Sequence, residues 1–485
     1  MEKPLLFNTH YRSAPGLYDE FLSAEQHVRK HYAQLSEQFA HYTMENYFRL
    51  NEEAKISFFN EGITFAVYSD NPEGTEKIFP FDLIPRIIPQ DEWSQIERGV
   101  LQRNRAINLF LEDLYHDRHI LRDQVVPDDL ILSSAHLNAA MQGFLPHGGI
   151  YNHISGTDII RHSDGDYYVL EDNVRCPSGV SYVLANRNTL KKVFPTLFRN
   201  CKPLNIQGYP EQLLTMLLSV APPNTDQPNC VVLTPGMYNS AYFEHVFLAQ
   251  SMGLELVEGR DLVVDHGFVY MKTIRGLKRV DVIYRRVDDD FLDPLVFRKD
   301  SVLGTPGLMK AYLDGNVTLV NAPGTGVSDD KAVYTYMPDI IRYYLGEEQI
   351  IKNVPTYRCG DDGDLKYVLE HAHELVIKPV DESGGYGIYM GHTLTKAQLA
   401  EVRQVVKANR RKYIAQPIMS LSVHPTFVEG EHTVDARHID LRTFCLLGNG
   451  TEYVLPGGLT RVALRKGNLI VNSSQGGGSK DSWVI

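Results

Sequence analysis

Cysteine and tryptophan are scarce in this chain of 485 residues, at five and two. Cys176, Cys201, Cys230, Cys359 and Cys445 are odd in number, scattered and without a CxxC spacing. This argues against a disulfide framework and fits reduced thiols in a cytosol, where buried bystanders are the ordinary role. Basic residues are outnumbered: 48 Lys and Arg against 60 Asp and Glu give a net charge of −12. A general nucleic-acid binder would show a basic face, so the charge argues against that class. A local cluster of Arg and Lys can still hold an anionic ligand against the global sign. No segment approaches the ~20 apolar residues of a membrane span. The opening Met1-Glu2-Lys3-Pro4 lacks the apolar core of a secretory signal. The expected setting is the cytoplasm, with no membrane or nucleic-acid partner. Long like-charge runs and low-complexity tracts are also missing, so most of the chain should be ordered. What is present is 43% hydrophobic residues, enough for roughly two or three cores.

Residues 1–145 read as mainly helical. Trp93, Ile96, Val100, Ile107, Leu111 and Leu114 recur at helical spacing after Pro89, with Asp91 as the expected cap. Packing is the expected role of this helix. Residues 146–200 change pattern. Thr157-Asp158-Ile159-Ile160 and Tyr167-Tyr168-Val169-Leu170 read as strands joined by a Ser163-Asp164-Gly165-Asp166 turn, a hairpin that brings Asp158 near Glu171. Residues 201–328 alternate strands (Cys230-Val231-Val232-Leu233, Leu254-Glu255-Leu256-Val257, Val280-Asp281-Val282-Ile283-Tyr284, Val317-Thr318-Leu319-Val320) with helical stretches, as in a mostly parallel α/β sheet. In residues 329–485 a helix from Asp330 carries Val333, Met337, Ile340, Ile341 and Tyr344, with a kink expected at Pro338. Strands and turns follow.

Three segments carry chemistry. Leu375-Val376-Ile377-Lys378-Pro379 is a strand ending in a lysine, followed by Asp381-Glu382-Ser383-Gly384-Gly385-Tyr386-Gly387-Ile388. Glycines between two strands let backbone N–H groups approach phosphate oxygens, and Lys378 supplies a compact positive charge. The alternative is a tight hairpin with a surface lysine. No GK[ST] opens a helix here, so this is not a Walker loop. Ile439-Asp440-Leu441-Arg442 places Asp440 and Arg442 on one side of a strand, and Leu459-Thr460-Arg461 ends the next. Two arginines on adjacent strands can clamp phosphate oxygens; the alternative is an Arg–Asp pair across a sheet. Third, Glu171-Asp172-Asn173 puts Glu171 and Asn173 on one face and Asp172 on the other. With Asp158 they form a hard-oxygen set suited to Mg²⁺, which takes one or two carboxylates plus phosphate oxygens.

Together these pieces resemble the ATP-grasp superfamily of carboxylate–amine ligases, in permuted order. Family members usually end on the Asp…Glu-x-Asn metal segment; here that segment lies about 200 residues upstream of the lysine strand. The chain is therefore similar to circularly permuted ATP-grasp proteins and, more distantly, to glutathionylspermidine synthetase. The resemblance implies an α/β (α+β) ATP-grasp fold with an α/β substrate-side domain and a helical N-terminal region. By the same resemblance Lys331 and Lys378 are the nucleotide lysines, and Ser383, Gly384, Gly385 and Gly387 belong to the loop over the phosphates. Gln416, Pro417 and Ile418 form the hinge along adenine, and Asn472, before a second glycine stretch, reaches the metal or γ-phosphate. Arg442 and Arg461 are the catalytic arginines; Asp158, Glu171 and Asn173 hold one or two Mg²⁺ ions. Glutathionylspermidine synthetase has an arginine near its first metal aspartate, but Gly156 and Thr157 precede Asp158 here. Arg161 or Arg175 stands in for it, and a glutathionylspermidine synthase-like activity stays among the readings that the resemblance implies. Arg285 and Arg286, just after a strand of the α/β unit, are the other substrate-side candidates, with a salt-bridged turn among Asp288, Asp289 and Asp290 as their alternative.

The implied activity is ATP-dependent amide formation between a small-molecule or peptide carboxylate and an amine, through an acyl phosphate. Two other readings stand beside it: a nucleotide-binding regulatory protein without turnover, and a phosphotransferase of the same fold. Every expected charged group is retained, which argues against the first of these.

Overall fold

The computed structural model describes residues 11–67, 75–223, 225–381, 387–469, 471–472 and 476–485. The region expected to be mainly helical contains helices Ala33–Phe39 and Met44–Asn60, but it also supplies strand β1, Phe81–Ile88. Its apolar side chains are buried on both faces, so the two-residue alternation of a half-exposed strand is absent. Pro85 further masks it. A strand can hold a proline at a sheet edge, and β1 is the edge strand, with its register slipping around that residue. Helix α1, Gln90–Tyr115, follows with the expected apolar positions buried. Asp91 does not cap it. Pro89 occupies the cap position, and Asp91 and Glu92 lie in the first turn, where the positive helix end favours carboxylates.

The expected hairpin forms from β2, Ile154–Arg161, and β3, Tyr167–Asn173, and leads to helix α2, Val180–Val193. The α/β unit contains β4 (Cys230–Leu233), helix α3 (Tyr242–Met252), β5 (Glu255–Val257), β6 (Val282–Arg285) and β7 (Thr318–Val320). These four strands form a parallel sheet in the order β7-β6-β4-β5. Val231, Leu233 and Ile283 belong to one core cluster, shared with Leu111 and Leu114 of α1, while Cys230, Val232 and Val282 belong to another with Val183 and Leu248. Burial on both faces is why these strands read as continuous apolar runs. Strands Leu262–Asp265, Phe268–Thr273 and Gly276–Arg279 form a separate antiparallel sheet between β5 and β6.

The helix expected from Asp330 is broken in two: α4, Lys331–Tyr334, and α5, Met337–Leu345. Asp330 caps α4 by accepting from Ala332 N–H. Pro338 lies in the first turn of α5, where its missing N–H is not needed, so the break precedes the proline and is not a kink at it. Strand β8, Lys352–Asn353, then leads into a second antiparallel sheet of β9 (Tyr357–Arg358), β10 (Leu375–Pro379), β11 (Tyr389–Met390) and β12 (Tyr413–Pro417), ordered β9-β12-β10-β11. The chain returns through β13 (Thr433–Arg442), β14 (Leu459–Val462) and β15 (Gly478–Val484). These complete the largest sheet, whose main path is β8-β3-β2-β13-β14-β15-β1. Strands from the front of the chain thus pair directly with strands from its rear. No helix among the described residues is long and apolar enough to cross a membrane.

Candidate nucleotide site

The site lies between the large sheet and the β9–β12 sheet. Register aligns its charged groups in rows. Asp158 on β2 faces Glu171 on β3, and Arg442 on β13 faces Asp158 from the other side. One row therefore reads Glu171, Asp158, Arg442 across three strands. Asp440, two residues before Arg442 and hence on the same face, is opposite Arg461 on β14. A bulge in β3 departs from strict alternation. Asp158 pairs with Glu171 while Ile159 pairs with Val169, so Leu170 is the extra residue. Leu170 and Glu171 both line the cavity as a result.

The cavity is lined by apolar and by charged side chains. Val376, Ile388, Met390, Met419, Leu421, Leu469 and Val471 join Leu170 in walls suited to a flat heterocycle. Gln416, Pro417 and Ile418 run along it where β12 ends. Its charged and polar lining also includes Asp158, Glu171, Lys331, Lys378, Asp440, Arg461 and Asn472. Lys331 Nζ is 3.4 Å from a Glu171 carboxylate oxygen. Lys378 Nζ donates to Gln416 Oε1 at 2.7 Å, and Gln416 Nε2 donates to Thr356 Oγ1 at 2.9 Å. The Gln416 side chain therefore aims a lysine, an arrangement not expected from its hinge position. Burial pulls the Lys378 ammonium down to about 8, against the pull of Glu171, with Lys331 adding repulsion.

The Arg–Asp alternative describes how the arginines rest. Arg442 grips Asp158 with two bonds, Nε–Oδ1 at 2.6 Å and Nη2–Oδ2 at 2.8 Å. Arg461 reaches the same Oδ2 at 2.8 Å and also pairs with Asp440, donating from Nε at 2.8 Å. Burial raises the Asp158 carboxyl, but the Arg442 and Arg461 guanidiniums outweigh it and hold Asp158 well below the usual carboxylate range. For Asp440 burial wins and the value rises, with Arg461 opposing. Two carboxylates and two guanidiniums thus balance inside the sheet.

The metal set is partly assembled. Asp158 and Glu171 face each other, and Asn173 Nδ2 donates to the Gly156 carbonyl at 3.1 Å, leaving its Oδ1 as the atom for a cation. Among the described residues no group of three or more His, Cys, Asp and Glu side chains is placed to hold a metal. Two carboxylates and an amide fit Mg²⁺, which completes its shell with phosphate and water oxygens.

Other expected residues lie elsewhere. Arg442 and Asn173 are absent from the cavity lining and join it through Asp158 and β3. Ser383, Gly384 and Gly385 lie outside the described residues. Gly387 has a positive φ of 70°, next to the lining residue Ile388. Arg161 is not a substrate residue in this arrangement. It sits three positions from Asp158, on the opposite face of β2, paired with Glu92 at 2.9 and 3.1 Å and 4.0 Å from the Tyr18 ring centroid. Arg175 is half-buried and bound through Nε to Asp329 at 2.5 Å. Arg285 and Arg286 are buried. Arg285 donates to the Asn321, Val287 and Ala322 carbonyls and pairs with Asp289 at 2.7 Å, close to the salt-bridged alternative. Arg286 donates to the Pro177 carbonyl, to Ser178 Oγ and to Glu244 at 3.0 Å. Both fasten the α/β unit to the segment after β3. The apolar walls, and the support that Thr356 gives Gln416, were missed; only the apolar run Leu375-Val376-Ile377 of β10 hinted at the former.

A permuted nucleotide-binding fold of the ATP-grasp class accounts for this arrangement: two sheets enclosing a cavity, Lys378 on one, Asp158, Glu171 and the two arginines on the other, and Lys331 at the start of α4. A model of the circularly permuted ATP-grasp type 2 family matches residues 85–463, and the chain belongs to that family. It is 51% identical over 472 residues to an uncharacterized protein of Synechocystis, covering 97% of this chain and 98% of that protein. It is also 51% identical over 429 residues to an uncharacterized protein of Mycobacterium tuberculosis, covering 88% and 77%. A protein of Frankia alni provisionally named glutamate–cysteine ligase 2-3 is 38% identical over 484 residues, which span 98% of this chain and 54% of that protein. The structure of a glutathione synthetase-like effector from Globodera pallida, in apo form, superposes with a TM-score of 0.54 at 12% identity, covering 90% of this chain and 96% of that one. That likeness concerns the fold alone.

Proposed function

We propose that the protein is an ATP-dependent carboxylate–amine ligase. The observation that carries this reading is that Glu171 and Asp158, the latter gripped by Arg442, line one cavity with Lys331 and Lys378. The name of the Frankia relative, a glutamate–cysteine ligase, supports it. In the proposed reaction a substrate carboxylate oxygen attacks the γ-phosphorus of ATP, ADP leaves, and an acyl phosphate forms. An amine then attacks the acyl carbon and phosphate departs, giving the amide. The apolar walls hold adenine along Gln416–Ile418. Lys378 and Lys331 hold phosphate oxygens. Arg442 and Arg461 turn from Asp158 towards the transferring phosphoryl group, whose charge spreads over its equatorial oxygens. Asp158, Glu171 and Asn173 would hold Mg²⁺, which neutralises phosphate charge when bound. Arg175, at the end of the metal strand, is the remaining expected arginine for the acyl substrate. We place the activity in the cytoplasm.

The test is thermal unfolding with and without MgATP in the wild type and in Glu171→Gln, followed by ADP release with pooled carboxylates and amines. A ligand that binds only the folded state stabilises by about 2.7 kcal/mol at 100 times its dissociation constant. The expected result is a shift in the wild type, reduced in the variant, and ADP release that needs both substrate classes. A stable phosphorylated product without amine would replace this reading with phosphotransfer. Absence of any shift at saturating MgATP would sink it.

A further inference from the structure

We propose that Arg103 is a positioning residue of the nucleotide site, although it belongs to α1, a helix whose expected role was packing. The proposal rests on the nucleotide-site reading above. Arg103 is 1% exposed, and its guanidinium reaches several partners at once. Nε donates to Asp172 Oδ1 at 3.1 Å and Nη2 to Asp172 Oδ2 at 2.5 Å. Nη1 donates to Asn353 Oδ1 at 2.7 Å. The guanidinium carbon is 5.7 Å from the Tyr334 ring centroid. Tyr334 continues the web: its hydroxyl donates to the Val169 carbonyl and accepts from Val354 N–H at 2.9 Å, and its carbonyl accepts from Asn353 Nδ2 at 2.9 Å.

Each anchored segment carries part of the site. Asp172 lies between Glu171 and Asn173 on β3, and Thr157 Oγ1, beside Asp158 on β2, also donates to it at 3.1 Å. Tyr334 is on α4, which begins at Lys331. Asn353 is on β8, from which the chain passes into the sheet bearing Lys378 and Gln416. One buried guanidinium therefore fixes the back of the metal strand, the helix of the first lysine and the entry to the second sheet. Only a fork of fixed donor directions can do this; an ammonium is a point charge on a flexible stem. A buried ion pair is often no more stabilising than an apolar replacement, so the geometry it imposes is the better account of its presence.

The experiment compares the full chain with Arg103→Lys and Tyr334→Phe, using Arg105→Ala as control. Arg105 is on the same helix but is exposed and pairs with Glu452. Calorimetry gives the affinity for MgATP, for ATP without metal, and the Mg²⁺ concentration at half-saturation. We expect both site variants to lose about 10- to 100-fold in Mg²⁺-dependent affinity, the range for residues that orient metal ligands, with metal-free ATP binding little changed. The control should match the wild type. If Arg103→Lys does not fold, Tyr334→Phe decides. Folded variants with wild-type MgATP affinity and Mg²⁺ dependence would overturn the positioning role. A wild type that binds no MgATP would instead remove the nucleotide reading, and the proposal with it.

Discussion

Arg442 and Asp158 stand directly opposite each other on adjacent strands, although 284 residues separate them in the chain. Their two-pronged contact joins the front of the chain to its rear at Asp158, a residue of the cavity wall. It also sets the resting state. Before an anion arrives, Asp158 satisfies both Arg442 and Arg461. A triphosphate would compete for those guanidiniums and release Asp158 towards a cation.

Asp158→Asn tests this balance. Breaking a buried pair from one side leaves uncompensated charge and costs about 3–5 kcal/mol. Because the Asp158 carboxyl is held below its ordinary value, its contribution is fully present above the unfolded pKa of about 3.9 and is lost as pH falls through the folded value. Urea denaturation should therefore show a full gap between wild type and variant at neutral pH, shrinking only below about pH 4. ATP turnover in the variant should fall by about 10²–10³, as when other preorganised charge contacts are removed. A gap that is already closed at neutral pH would contradict the ion-pair account.

Lys378 gives a second pH signature, of opposite kind. Its folded pKa is lowered from 10.5 to about 8 by burial, so the folded protein holds its proton less tightly than the unfolded chain. The sign of linkage then makes this group's contribution rise with pH between those two values. Bound phosphate should restore the charge. ATP binding is expected to weaken as pH rises above 8 and to take up a proton there. Calorimetry in two buffers of different ionisation enthalpy measures that proton, and Lys378→Gln should abolish it. Equal proton uptake in the variant would assign the effect to another group.

Arg286 was expected to contact substrate and is instead expected to behave as a structural clasp. It meets Glu244, whose other oxygen accepts from Gly179 N–H at 2.7 Å and from Ser181 N–H at 3.1 Å, at the start of α2. Arg286→Met should destabilise by about 3–5 kcal/mol by stranding that buried carboxylate. MgATP affinity of the folded protein should stay near wild type. A stable variant with a raised KM for the acid substrate would return Arg286 to the substrate side.

The sequence was most readable where chemistry and period coincide. The β2–β3 hairpin, the α/β strands and the convergence of Lys331, Lys378, Arg461, Glu171 and Asp158 all appear as expected, because turn residues and apolar runs flank charged groups of recognisable type. Elsewhere tertiary context decided. β1 hid because both its faces are buried and Pro85 interrupts it. Arg161, Arg285 and Arg286 misled because residue type announces charge but not which face of a strand, or which buried acid, takes it. The hairpin at His266-Gly267, where both residues have positive φ, was legible in principle as a turn of the primed type but was passed over. Asp172, expected to face away from Glu171 and Asn173, meets Arg103, which lies 69 residues earlier and had no local signal.

Gly458 ties backbone geometry to the same site. It precedes β14 with φ of +62°, and a Cβ placed there would lie 2.4 Å from the Arg442 carbonyl oxygen. That oxygen belongs to backbone and cannot swing aside as a flexible side chain would. Gly458→Ala must therefore either shift β14 away from β13 or twist Arg442 from Asp158. A residue forced into a sparsely populated backbone region costs about 1–3 kcal/mol, before the clash is counted. Both lower thermal stability and a larger loss of turnover than of nucleotide affinity are expected, because Arg442 is proposed to act on the transferring phosphoryl group and adenine is proposed to lie along the other sheet. Steady-state kinetics and MgATP titration of the same preparation separate the two. If affinity falls as far as turnover, the strand shift has reached the whole cavity, and the division of labour between the two sheets fails.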